Sequence, residues 1–290
     1  MSESLSIILP AKNEAASLTQ LLPELRRYYP VAEIIVIDDG STDNTAEICS
    51  QNDVKCVRHA HSLGNGAAIK HGARFACGKV LVFMDADGQH DPADIGRLLD
   101  RLYSGFDMVV GARDGISQAS LARRIGNAIY NRMASWITRH PVKDLTSGFR
   151  VVRAKKFRRF LYLLPNGFSY PTTITMSFFR AGYLVDYIPI TANKRVGKSH
   201  INLLTDGARF LLIIFKVGTL YSPLKIFVPI SIFFFLTSVG YYSYTYLIAA
   251  RFTNMGVLLF ITSVLIFLIG LISEQITTLM YQNQHVDNEN

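Results

Sequence analysis

Two aspartates, Asp85 and Asp87, stand one residue apart in VLVFMDADGQHDP, Val80–Pro92, directly after a run of apolar residues. Like charges so close repel, so the pattern calls for a cation between them or for a solvated loop. Carboxylate oxygens are hard ligands that suit Mg²⁺ or Mn²⁺, and a partly hydrated ion of that type commonly bridges to substrate phosphates. Such an ion neutralises charge on a departing diphosphate. Gln89 offers an amide oxygen as a third ligand and is preferred here to His90, which reads as a helix-start or polar-loop residue. The chain has no P-loop of the form G-x-x-x-x-G-K-[ST], which argues against an ATPase.

Three further polar clusters stand in the same relation to an apolar run. AKNE (residues 11–14) follows Leu5–Pro10, DDGSTD follows the run Glu33–Asp39, and GARD ends Asp107–Arg113. Turn and capping chemistry would explain each cluster singly. Four of them at equivalent positions point instead to one ligand crevice. The runs are β-branched and continuous, and they alternate with helix-like stretches at Ala15–Tyr28, Thr45–Gln51 and Gly66–Ala76. A further helix is expected to open at Asp91-Pro92, aspartate as cap and proline at the first helical position. This alternation predicts an α/β fold with a mostly parallel sheet covered on both faces. In such sheets ligands bind beyond the carboxyl ends of the strands, where the polar clusters fall.

The 290-residue chain carries a formal charge of +8 and 49% hydrophobic residues, and the apolar excess is concentrated after Leu224. The basic balance suits nucleic acid, anionic lipid or a phosphorylated substrate. Nucleic acid is the weakest of these and is not expected as a partner, since no recognition motif accompanies the charge and the chain ends in an apolar segment. Leu224–Ala250 has one charge, Lys225, and Met255–Ser273 has none. Each is long enough to cross a hydrocarbon core of roughly 30 Å at about 1.5 Å per residue. The expected organisation is a cytosolic domain over residues 1–200, an amphipathic interface helix over 201–223, two membrane helices near 224–250 and 255–280, and a cytoplasmic tail over 282–290. Arg251 is the one basic residue in the short turn, whereas Lys216, Lys225 and the basic N-terminal region lie on the other side. The positive-inside rule therefore places the large domain at the cytoplasmic face. The N-terminus lacks a run of signal-peptide length. Cys49, Cys56 and Cys77 read as reduced thiols without metal spacing. RAKKFRR, Arg153–Arg159, reads as charge facing lipid headgroups.

PAKNEAASL, VIDDGSTDNT, GNGAAIKHG, MDADGQHDP, GAR, DLTSGFRV and KRVGKSHI, followed by the interface helix, YSPLKIF and the hairpin, occur in that order. In this combination the chain resembles glycosyltransferase family two, with its GT-A fold, and within it the polyprenyl-phosphate glycosyltransferases of the dolichol-phosphate mannose synthase type. The resemblance covers nearly the full length. It implies inverting transfer of a hexose from a GDP- or UDP-linked sugar to dolichyl or undecaprenyl phosphate, with Mg²⁺ or Mn²⁺ as cofactor. Pro10, Ala11, Asn13, Glu14, Asp38 and Asp39 would hold base and ribose, with Lys70 among the donor-binding residues. Asp85, Asp87 and Gln89 would hold metal and diphosphate. Asp144, Ser147 and Gly148 would shape the sugar pocket. Arg113, with Arg123 or Arg124, would meet the acceptor phosphate, while Arg195 and Lys198 close over the phosphates. Asp87, Arg113, Arg195 and Lys198 carry the catalytic expectation. His200 stands where the family often has lysine after Gly-x-Ser, which would make phosphate binding pH-sensitive near the ordinary imidazole pKa of about 6.5.

Two other readings compete. A processive polysaccharide synthase would carry Gln-x-x-Arg-Trp, but Trp136 is preceded by Ser135, with Arg132 in place of the glutamine. A non-catalytic nucleotide-sugar-binding scaffold would not require the Asp-x-Asp pair together with both arginine sites. Association of a second copy through the hairpin is compatible with either membrane-bound reading.

Overall fold

The structure is a computed structural model that describes residues 3–113, 121–167, 169–191, 215, 218–251 and 253–282, with the side chains of 121–125, 127, 249 and 282 outside the description. The chain divides into two compact units, Met1–Leu203 and Leu204–Asn290.

In the first unit the alternating runs form β1 (Leu5–Ala11), α1 (Ala15–Tyr28), β2 (Glu33–Asp38), α2 (Thr45–Gln51), β3 (Lys55–Arg58), α3 (Asn65–Phe75), β4 (Val80–Phe83), α4 (Asp94–Tyr103) and β5 (Met108–Arg113). There follow α5 (Leu121–Thr138), β6 (Arg150–Arg153), α6 (Ala154–Arg158), α7 (Tyr170–Arg180) and β7 (Val185–Ile190). One sheet runs β3-β2-β1-β4-β6-β5-β7, and β6 alone is antiparallel to its neighbours. The mostly parallel sheet expected from the sequence is therefore present. The expected cap at Asp91 exists but closes a turn: its carboxylate accepts the Ala93 N–H at 2.8 Å, and α4 begins at Asp94. Proline at 92 fits that turn without requiring a helix there.

Strand residues of alternating parity serve the two faces, as a pleated strand requires. Ile7, Leu9, Ile34, Val36, Val80 and Val82 pack with Leu18, Leu22 and Leu25 of α1 and Ile95, Leu98 and Leu102 of α4, all buried. On the other face, a Cβ at Gly72 of α3 would strike Ile8 and approach Ile37, so the missing side chain lets α3 lie against the sheet. Phe83 packs on Phe157 of α6 with ring centroids 4.5 Å apart. The basic run Arg153–Arg159 also makes contacts that hold this unit together. Arg153 pairs with Glu3, Lys156 with Asp107, and Arg158 donates to the carbonyls of Ala73 and Ala76.

The second unit contains α8 (Pro223–Ala249) and α9 (Asn254–Gln282), 27 and 29 residues long. At ~1.5 Å per residue either exceeds the thickness of a bilayer core. Small residues let the helices approach: Ser231 donates to the carbonyl of Ser263 at 2.9 Å, Ser238 to that of Gly256 at 2.8 Å, and Gly270 accommodates Phe227. Glu274 accepts the N–H of Leu224 at 3.4 Å, engaging one of the amides that the start of α8 leaves without a helical partner.

Leu22→Ala should lower the stability of the first unit by about 2–5 kcal/mol, because it empties a fully buried site. Val31→Ala, at a side chain 96% exposed, should change it by less than about 0.5 kcal/mol. Thermal unfolding of the full chain in detergent, followed by near-ultraviolet circular dichroism, distinguishes the two.

Candidate active site

Register brings the polar clusters to one edge. Ala11 pairs with Asp38, and Asp38 with Arg58, at the carboxyl ends of β1, β2 and β3. Phe83 pairs with Ile8, so Asp85 lies two residues beyond the last paired position of β4. Pro10, Ala11, Glu14, Asp39, Asp85 and Asp87 line a cleft of about 440 Å³ beyond that edge. Asp87 is shared with an adjoining cleft of about 370 Å³ beside α1, which His90 and Asp91 also line.

The acids of this edge have different partners. Asp38 is fully buried, accepts the Ser41 N–H at 2.8 Å and pairs with Arg58 at 3.3 Å. Asp39 lines the cleft, yet both its oxygens are engaged within the protein. One accepts from His59 and the Leu63 N–H, each at 2.7 Å; the other accepts from Ser62 at 2.7 Å and the Gly64 N–H at 2.9 Å. Burial alone would raise the Asp39 carboxyl, but these hydrogen bonds outweigh it and hold the pKa at about 2. Asp39 thus fastens the loop between β3 and α3 to the end of β2. Asn13 adopts a left-handed backbone, φ 58°, and ties β1 to the neighbouring loop by accepting the Thr42 N–H at 2.8 Å.

Sequence reasoning missed the rest of this network. Lys12 donates to Ser62 at 3.1 Å across the mouth of the cleft. Behind Asp39, Nε2 of His59 lies 2.7 Å from Nδ1 of His71. The two rings meet edge to face with centroids 4.7 Å apart, extending the Asp39 network onto α3. The pairing could not be read beforehand, since His59 ends a strand and His71 lies one helical turn inside α3.

Asp144 was expected in a sugar pocket; the structure places it on Arg113. Nε of Arg113 donates to one carboxylate oxygen at 2.8 Å and Nη2 to the other at 3.1 Å, while Nη2 also reaches Thr146 at 2.7 Å. Burial alone would raise the Asp144 carboxyl, but the hydrogen bond and charge of Arg113 lower it. Reciprocally, burial disfavours the Arg113 cation, while Asp144, Asp85 and Asp87 favour it and leave its pKa raised. Ser147 is buried, and its hydroxyl has no partner among the described residues. Lys70 donates to the Leu164 carbonyl at 3.1 Å and to Asn166, bracing that loop. Gln89 is half-buried, with its backbone N–H bonded to Asp87 at 3.2 Å. His90 stacks on Phe149 with centroids 4.9 Å apart, and burial pushes its pKa down to about 4. Arg123 and Arg124 lie on α5, but their side chains, like all of Arg195, Lys198 and His200, are outside the described residues.

The donor set fits a hard divalent ion. Asp85 and Asp87 supply carboxylate oxygens to the cleft, and a Cβ at Gly148 would stand 2.7 Å from the Asp85 carboxylate, so glycine leaves it room. Among the described residues no three acidic, histidine or cysteine side chains gather into a protein-only cage.

Residues 6–161, more than half of the chain, match the family Glycosyl transferase family 2, and residues 222–279 match the GtrB C-terminal hairpin. The chain belongs to glycosyl transferase family 2 and is a glycosyltransferase. It is 27% identical to Glycosyltransferase AglJ of Haloferax volcanii over 265 residues, covering 89% of this chain and 81% of that one. It is 26% identical to Polyprenol monophosphomannose synthase of Mycolicibacterium smegmatis over 204 residues, covering 65% and 77%. The fold is shared with glucosyl-3-phosphoglycerate synthase from Mycobacterium tuberculosis, solved with Mn²⁺, uridine diphosphate and phosphoglyceric acid. The TM-score is 0.59 at 20% identity, over 73% of this chain and 76% of that one.

Gly148→Ala should displace the Asp85 carboxylate and lower glycosyl transfer by about tenfold or more, equivalent to ~1.4 kcal/mol. The unfolding midpoint should move little, because the atom displaced ends a side chain. Burial, then the charges of His59, Arg74 and Lys70, lowers the pKa of His71. The folded imidazole therefore binds its proton below the ordinary pH of about 6.5, and the Asp39–His59–His71 chain is intact above that lowered value. As pH falls from 6.5 toward it, the unfolded chain gains the proton first and stability declines. The decline should flatten in His71→Gln, measured by unfolding midpoints between pH 7.5 and 5.

Proposed function

We propose that this membrane-bound glycosyltransferase moves a hexose from a nucleotide-sugar, GDP- or UDP-linked, to a polyprenyl phosphate with inversion, at the cytoplasmic face. The observation that carries the reading is an acidic cleft at the carboxyl edge of a family 2 domain, in a chain that continues into a GtrB-type hairpin. The likeness to a polyprenol monophosphomannose synthase supports the acceptor. A neighbour solved with Mn²⁺ and uridine diphosphate supports a divalent cofactor and a nucleotide donor. The cytoplasmic placement rests on the basic residues that flank the hairpin on the side of the large domain.

In the reaction an oxygen of the lipid phosphate bonds to the anomeric carbon while the bond from that carbon to the diphosphate oxygen breaks, its electron pair leaving with the nucleoside diphosphate. A phosphate monoester is largely ionised near pH 7, its second pKa being about 6, so the chain need not supply a strong base. What it supplies is alignment and charge. Asp144 and Thr146 engage three N–H groups of Arg113 and fix the plane of its guanidinium. The Nη1 end is then directed at the acceptor phosphate, where a fork of donors suits paired oxygens. Pro10, Ala11, Glu14 and Asp39 line the nucleoside end, and Asp39 orders the Ser62–Gly64 loop beside it. Asn13, bonded to the β2–α2 loop, and the buried Asp38, at the end of β2, support it. Mg²⁺ or Mn²⁺ held by Asp85, Asp87 and Gln89 would neutralise charge developing on the leaving diphosphate. Arg123, Arg124, Arg195 and Lys198 are further candidates for the acceptor phosphate.

Full-length protein in nanodiscs with Mn²⁺ should release nucleoside diphosphate from one of GDP-mannose, UDP-glucose or UDP-N-acetylglucosamine only when polyprenyl phosphate is present. Equal release without lipid would overturn the acceptor assignment. Arg113→Ala should raise the KM for the lipid about a hundredfold, ~2.7 kcal/mol, and weaken donor affinity, measured calorimetrically without lipid, by no more than about tenfold; an equal loss of both would overturn the acceptor role.

A further inference from the structure

Arg150 is among the largest fully buried side chains of the protein, with no exposed surface. A guanidinium so enclosed ordinarily pairs with a carboxylate, because an uncompensated interior charge is costly. Here its contacts are neutral. Nη1 donates to the Pro171 carbonyl and to Thr175, each at 3.2 Å, Nη2 donates to the Ser147 carbonyl, and the Tyr170 ring lies 5.7 Å away. Nε has no hydrogen-bond partner among the described residues. Burial lowers its pKa, and Tyr170, Tyr187 and the carboxylates of Asp144 and Asp85 act through space in the opposite direction.

Its position in the sheet explains that reach. On β6, Arg150 pairs with Phe83 of β4 and Val110 of β5. Those strands lead, within two and three residues, to Asp85 and Arg113. The carbonyl it holds, that of Ser147, precedes Gly148, whose missing Cβ makes room for the Asp85 carboxylate. Tyr170 supports the same turn by donating to the Gly148 carbonyl at 3.2 Å.

We propose that Arg150 is a positioning residue of the donor site: a fixed internal cation beneath the acidic crevice that weakens its hold on a bare divalent ion and strengthens its hold on a diphosphate. This rests on the reading of Asp85 and Asp87 as the metal pair. Around the cleft Glu14, Asp39, Asp85, Asp87 and Asp144 stand against Lys12, Arg113 and Arg150. Removing Arg150 makes this surround more negative by one unit charge, which favours a free M²⁺ ion and disfavours an incoming anion. The arginine thereby links retention of the ion to arrival of the nucleotide, and it does so without touching either.

The test uses the full chain in detergent and the variants Arg150→Gln and Arg150→Lys. Two affinities are measured calorimetrically: for Mn²⁺ alone, and for GDP and UDP without metal. In Arg150→Gln, Mn²⁺ should bind about tenfold tighter, and whichever nucleoside diphosphate the wild type prefers should bind about tenfold weaker, the order expected for one unit charge at an effective dielectric of about 20. Arg150→Lys should return both toward wild type. A loosened turn would weaken both ligands together, so weaker or unchanged Mn²⁺ binding in Arg150→Gln overturns the proposal. If Arg150→Gln does not accumulate, Arg150→Met removes the charge from the same slot and carries the same expectation. Wild-type protein that binds no Mn²⁺, with or without nucleotide, would instead overturn the metal pair itself, and this inference with it.

Discussion

Repulsion among aspartates is the constraint to which this fold answers. Asp38, Asp39, Asp85, Asp87 and Asp144 reach the carboxyl edge of one sheet from β2, from the segment after β4 and from the turn before β6. No compact edge could hold five carboxylates without cations and N–H donors placed against them. Asp38 meets Ser41 and Arg58, Asp39 meets two backbone amides, Ser62 and His59, and Asp144 meets both arms of Arg113. The partners come from the β2–α2 loop, the end of β3, the β3–α3 loop and the end of β5, so neutralising the acids also ties these segments together. The electrostatic solution and the shape of the cleft are one arrangement.

This division separates residues that organise from residues that can act. Asp39 accepts four hydrogen bonds, about the full capacity of a carboxylate, so a donor's hydroxyl could reach it only by displacing one. Its contribution runs through the Ser62–Gly64 loop and through Lys12, which bonds to Ser62 from the other bank of the cleft. Asp144 likewise acts through Arg113. Asp85 and Asp87 line the cleft with Glu14 and Asp39, and Gly148 keeps the space beside Asp85 open.

Much of this was legible in the sequence, and the boundary between legible and hidden has a physical cause. Continuous β-branched runs gave β1, β2, β4 and β5, because strands buried on both faces need apolar residues throughout, while β3 is a half-exposed edge strand. The order of polar clusters gave the crevice, because parallel strands place their carboxyl ends together. The long uncharged segments gave the hairpin. Antiparallel insertion of β6 was not visible, since RVVR is only four residues and its direction depends on the turn before it. The pairing of Arg153 with Glu3 and of Lys156 with Asp107 was hidden because local charge density carries no information about distant partners. The His59–His71 contact was hidden for the same reason.

Arg150 shows why such long-range pairing matters more than motif residues taken singly. Read in sequence, the arginine after SGF is one basic residue among 30 lysines and arginines. In the fold it is enclosed at the centre of the sheet between the strands that carry Asp85 and Arg113. A cation at the surface of so basic a chain would be screened within about 10 Å by salt. Enclosed by Tyr170, Pro171 and Thr175, this one keeps its field. The desolvation cost of enclosing it is offset in part by Asp85 and Asp144, the same carboxylates that make the crevice acidic. The acids at the mouth and the cation beneath them therefore stabilise one another, and removing either side should leave the other buried at a penalty.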